Sequence, residues 1–90
     1  MSSEILEVLK RFPGAIFEVE VNSIVHIIVE NRERLTEILS RYGVKKPDDI
    51  KAKIAKGELS AHPAFEDYLS ALAYQIDMED LMKKLDEKLS

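Results

Sequence analysis

Two histidines in the chain each stand four residues before a glutamate, His26 with Glu30 and His62 with Glu66. On a helix, side chains at i and i+4 share a face, so each pair could chelate one cation. Both pairs together would supply four ligands. Coincidence weakens this reading, because 17 of the 90 residues are acidic and a carboxylate one turn beyond a given histidine is ordinary. His26 is more simply a solvent-side residue paired with Glu30, and His62 more simply a neighbour of the helix start at Pro63. His26, Glu30, His62 and Glu66 therefore stand as distant metal candidates, and no cofactor is expected.

Other catalytic chemistry has less to work with. The chain has no cysteine, which excludes disulfides, thiolate nucleophiles and the commonest structural zinc sites. Its serines fall at expected caps, helix positions and termini, and none lies in a Gly-x-Ser-x-Gly turn. Three isolated glycines make no phosphate-cradling loop. The adjacent acids Asp48-Asp49, Glu66-Asp67 and Glu79-Asp80 would point about 100° apart on a helix and suit first turns, where the helix dipole favours negative charge. The expectation is a protein that is not an enzyme.

The stretch Val21–Tyr42 holds the densest block of β-branched residues. Taken as a helix from Ser23, it aligns Ile24, Val25, Ile28, Leu35, Ile38, Leu39 and Tyr42, with His26, Glu30, Glu33 and Glu37 opposite. Ser23 suits an N-cap and Gly43 a left-handed C-terminus. The rival is a β-hairpin over Ala15–Val29, with Phe17, Val19 and Val21 alternating against Glu18 and Glu20 and a turn at Asn22-Ser23. Asn-Ser is a weak hairpin turn, so the helix is preferred.

Around this centre, Ile5, Leu6, Leu9 and Phe12 pattern a first helix ended by Phe12-Pro13-Gly14. Pro47, followed by Asp48 and Asp49, opens a short helix that buries Ile50 and Ile54 and stops at Gly57. Pro63 opens another, with Phe65, Leu69, Leu72 and Ile76 as its apolar stripe and Tyr68 and Ala73 beside it. Beyond Asp77 the apolar set is Met78, Leu81, Met82, Leu85 and Leu89, nearly opposite the first. Either the helix breaks at Ile76-Asp77, the preferred reading, or one long helix turns Tyr74 and this second stripe toward a partner. The fold expected is a single all-α domain over residues 1–90, a compact bundle of five or six helices, with α+β as the alternative.

Net charge is −4, unevenly spread. Residues 41–56 hold Arg41, Lys45, Lys46, Lys51, Lys53 and Lys56 against Asp48 and Asp49, whereas residues 61–90 hold seven acids and three cations. The basic segment is the one candidate nucleic-acid patch. Glu18 and Glu20 would face outward from a ribbon-helix-helix strand and repel phosphate, so nucleic acid is the alternative rather than the leading partner. No apolar run reaches the length of a membrane span. The opening residues lack a signal-peptide pattern, and a cytoplasmic location is expected.

RYGV at Arg41–Val44, KIAKGEL at Lys53–Leu59 and HPAFEDYLSAL at His62–Leu72 resemble segments of small uncharacterised archaeal helical proteins, some of them similar to antitoxin components of toxin–antitoxin pairs. The resemblance implies an inhibitor that wraps or caps a protein partner. The chain departs from that pattern in lacking a basic DNA-binding head and in having a C-terminal segment patterned to fold. The function expected is therefore a protein-interaction or regulatory module, a homodimer or a complex with a cognate protein. Its partner-binding residues would be Tyr74, Met78, Leu81, Met82, Leu85 and Leu89.

Overall fold

The structure is a computed structural model that describes residues 13–90, with side chains described from Glu18 onward. Three helices follow one another among the described residues: α1 (Pro13–Arg41), α2 (Pro47–Ala55) and α3 (Ala61–Leu89). The expected first helix over Ser2–Phe12 lies outside them. The two long helices have 29 residues each, so each is about 43 Å long.

α1 and α3 form an antiparallel hairpin. At one end Arg41 and Tyr42 reach Asp67, and at the other Lys88 Nζ lies 2.6 Å from Glu20 Oε2. The interval from Glu20 to Tyr42 nearly equals that from Asp67 to Lys88, so the helices run in register along their shared length. α2 packs mainly on α3 at the loop end of this hairpin. The expected compact bundle of five or six helices is thus replaced by three helices among the described residues, in a slab of 59 × 31 × 15 Å. Ninety residues in a compact domain would have a radius of gyration of about 12 Å, and this chain has 18.5 Å.

The alternative hairpin over Ala15–Val29 is also overturned, since α1 is helical throughout that stretch. The physical reason is a seam that a hairpin would destroy. Val21, Ile24, Ile28, Asn31, Leu35 and Ile38, with Tyr42 just past the helix end, recur at spacings of three and four and are buried or half-buried, as is Leu39. Packing along this seam outweighs the reluctance of β-branched residues to enter helices. Asn22 and Ser23 are exposed helical residues, neither turn nor cap.

α3 differs from expectation in both continuity and phase. It passes through Ile76-Asp77 without a break, and Asp77 is an exposed mid-helix residue. Three of the four residues of the stripe expected to be core are on the outside, Phe65, Leu69 and Ile76 at 46%, 48% and 48% exposure, while Leu72 is half-buried and packs against the core. The core uses Ala64, Tyr68 and Ala71 instead, joined by Ile38 and Ile50. Ala64, Ala71, Met78 and Leu85 are each seven residues apart, with Tyr74 and Leu81 between, so one heptad line runs the length of the helix. A helix has one best line against its neighbour. The line shared by both halves of α3 prevails over the more apolar line that serves only the first half.

Both loops are closed by left-handed glycines, Gly43 at φ 63° and Gly57 at φ 76°. After α1, the Gly43 and Val44 amides donate to the Ser40 and Leu39 carbonyls, at 3.1 and 3.0 Å. After α2, those of Gly57 and Glu58 donate to Ile54 and Lys53, at 3.0 and 2.9 Å. Each is a Schellman closure, which requires a residue free to adopt positive φ. Pro47 begins α2 behind extended Lys46, and Asp48 and Asp49 occupy its first turn, as the sequence implies. His62 is extended at φ −113°, so continuous helical geometry in α3 starts at Pro63.

Candidate interaction surface

The hairpin separates the histidine pairs. His26 Nε2 lies 3.2 Å from Glu30 Oε1, and His62 Nδ1 donates to Glu66 Oε1 at 2.9 Å, all on exposed side chains. In the observed register His62 lies at the loop end of α3, beyond the level of Tyr42 and about 30 Å from His26 along the hairpin. The two pairs cannot share one cation. Among the described residues no cluster of three or more metal-ligating side chains occurs. The Glu66 carboxyl is held below its usual range by the hydrogen bond from His62, a local surface effect.

One polar cluster does cross between helices. Tyr42 Oη donates to Asp67 Oδ2, which also receives Arg41 Nη1 at 3.3 Å, while Arg41 Nη2 lies 3.7 Å from Glu37. The hydrogen bond to the Asp67 carboxylate stabilises the neutral phenol, so the Tyr42 pKa is raised above 10.0, with burial adding to the effect. The stability linked to a raised pKa is complete below the unfolded value and lost as pH climbs through the folded one. Chemical denaturation across pH 9 to 12 is therefore expected to show an alkaline loss of stability that Tyr42→Phe reduces. At neutral pH the same variant, at a half-exposed site, should lose about 1 kcal/mol.

The basic segment is dispersed around α2. Lys45, Lys46, Lys51 and Lys56 are exposed, Lys51 Nζ sits 6.0 Å from the centroid of the Tyr68 ring, and Lys53 Nζ donates to the Tyr42 carbonyl at 3.3 Å. Arg41 turns away to Asp67 and Glu37. Lys45, Lys53 and Lys56 line one shallow concavity together with Asp49 and Glu58, while Arg41 and Lys51 are directed to Asp67 and the Tyr68 ring.

Of the six residues expected to meet a partner, Tyr74 packs against the core, and Met78, Leu81 and Leu85 are half-buried on the heptad line. Met82 and Leu89 remain outside, at 55% and 63% exposure. The free apolar surface lies elsewhere. At about 100° per residue, Phe65 falls on one flank of the α3 seam, with Leu69 and Ile76 further round on the same hand, and Val25 and Val29 on the matching flank of α1. Flanks of the same hand share one side of an antiparallel pair. Val25 and Val29 are 40% and 46% exposed, so this side of the hairpin carries large apolar side chains from both helices.

Sequence reasoning misses this surface by assigning Phe65, Leu69 and Ile76 to the core. The signal that finds it is the seven-residue recurrence of Ala64, Ala71, Met78 and Leu85, in which the alanines contribute little hydropathy but let helices approach closely.

Among the described residues no helix is long and apolar enough to cross a membrane. Comparison with curated proteins and with solved structures finds no match in either. A family model does match, over residues 4–89, nearly the whole length of the sequence. The chain belongs to the family described as Uncharacterized protein MJ0235 family.

Proposed function

We propose that the chain is a non-enzymatic protein-interaction module whose contact surface is the apolar side of the α1–α3 hairpin. The observation that carries this reading is the exposure of Phe65, Leu69 and Ile76, each close to half, with Val25 and Val29 exposed further along the hairpin on the neighbouring helix. Large apolar side chains gathered on one side of a small protein mark places where another surface is buried. Polar chemistry offers less support for catalysis: among the described residues no buried side-chain polar atom lacks a partner, and the shifted acidities of Tyr42 and Glu66 each have a neighbour that explains them. A regulatory role of the antitoxin kind would use the same side, and rests on the segment resemblance. The cysteine-free composition suits a cytoplasmic setting.

Photo-crosslinking tests the reading. A photoreactive residue at Leu69 or Ile76, introduced into the full chain in its native cell, is expected to give a discrete protein adduct. The same group at exposed Arg34, on the opposite flank of α1, is expected to give none. Absence of any adduct from position 69 or 76 overturns the proposal.

A further inference from the structure

We infer that the occupant of this apolar side is a second copy of the chain, docked antiparallel so that each copy's α2 covers the bare half of the other's hairpin. The inference rests on the interaction-module reading above and goes beyond it by naming the partner and its orientation.

Placement of α2 supplies the first argument. Lys51 over the Tyr68 ring, and Ile50 in the cluster with Ala64, Tyr68 and Ala71, put α2 on the flank of α3 that also carries Phe65 and Leu72. This is the side that bears Val25 and Val29. With nine residues, α2 is about 14 Å long and serves only the loop end of a hairpin about 43 Å long. From Val29 and Ile76 outward the same side is bare among the described residues. A twofold axis through the middle of this side carries each α2 onto the other copy's bare half. Both copies then present the same patch to each other, as an isologous interface requires.

Charge supplies the second. Residues 44–56, which contain α2, hold five lysines against two aspartates. The far end of the hairpin, residues 18–29 and 77–90, holds seven acids against three lysines, and one of those, Lys88, is engaged by Glu20. Antiparallel docking brings basic α2 to this acidic end, whereas parallel docking would stack like charges. On the side in question, helical phase offers Glu79 and Asp86 to the partner's Lys51 and Lys56.

Area supplies the third. The hairpin side is about 43 Å long and two helices, roughly 20 Å, wide, an area comparable to the about 800 Å² that each partner contributes to a standard interface. Apart from Pro47, the apolar buried residues among those described are Ile38, Ile50, Ala64, Tyr68 and Ala71, so a second copy would enlarge a thin core.

Sedimentation equilibrium of the full chain, from micromolar to millimolar, tests the proposal, with circular dichroism confirming that each variant keeps its helices. The expected species has twice the 10.3 kDa chain mass. Lys51→Glu with Lys56→Glu should weaken the dimer about tenfold, because the twofold repeats each lost pair. Glu79→Lys with Asp86→Lys should do the same, and combining all four should restore most of the affinity. A monomer at every concentration overturns the inference, as does a dimer indifferent to both reversals or one that the combination fails to rescue. A monomeric chain that still gives an adduct with a different protein at position 69 or 76 refutes the second copy and leaves the interaction-module reading standing.

Discussion

Replacing Ile50 by alanine is expected to lower the free energy of unfolding by about 3–5 kcal/mol, the largest effect of any single truncation in the described chain. Ile50 is fully buried, at 0% exposure, and is the one large side chain in that state among the described residues. It lies on the nine-residue helix α2, at the point where that helix meets Ala64, Tyr68 and Ala71. Truncation removes transferred apolar surface and leaves a cavity, which together cost about 2–5 kcal/mol for isoleucine. The upper part of that range applies because α2 has few other anchors: Pro47 is buried and Ile54 only half-buried. Urea denaturation followed by circular dichroism measures the loss. Ile28→Ala provides the contrast, since Ile28 is half-buried at the seam and should lose about 1–2 kcal/mol. Equal losses at the two positions would mean that α2 is not seated as described.

Ala71→Asp is the second expected large effect, about 3–5 kcal/mol. Ala71 is 0% exposed on the seam line of α3. A carboxylate there is withdrawn from water with no cation assigned to it, and an uncompensated buried charge costs several kcal/mol. Ala73→Asp, two residues away on the exposed side of the same helix, should change stability by less than about 0.5 kcal/mol. Thermal and urea melts of the two variants compare identical chemistry at opposite phases of one helix. Had the Phe65–Leu69–Ile76 stripe been the core, Ala73 beside it would have been the sensitive position. The pair of variants therefore decides the phase, independently of whether the chain associates with itself.

Much of the local architecture is legible in short runs of residues. Pro47 with Asp48 and Asp49, Gly43 and Gly57 announce where α2 starts and where α1 and α2 end, because proline and left-handed glycine act through backbone geometry within a few residues. Burial of Ile50 follows from the same local pattern. The preference for a helix over Ile24–Tyr42 is also readable, although the start at Ser23 is not. The β-branched block beginning at Ile24 looks like a boundary but is only a local cost within a longer seam.

The candidate surface is legible only in part. His26, Glu30, Glu33 and Glu37 are exposed, as their phase on α1 implies. The two His–Glu pairs read as one possible site because nothing in spacing alone reveals that they sit about 30 Å apart along a hairpin. Helical phase separates the two apolar stripes of α3 onto opposite faces, which is correct as geometry. Which of them faces inward cannot be read from hydropathy, since alanine at positions 64 and 71 is nearly silent on any such scale.

By itself, then, the sequence determined that the chain is helical through its centre and C-terminal third, where α1 and α2 end, and that its charge is concentrated unevenly. These properties depend on neighbours a few positions away. Tertiary structure alone decided that α3 continues through Asp77, that α1 and α3 pair along their length, and that Phe65, Leu69 and Ile76 face outward. The physical reason is that a long helix has a single line of best contact, chosen by the whole of its neighbour, and close approach of backbones at Ala64 and Ala71 outweighs the burial of a larger stripe that ends halfway.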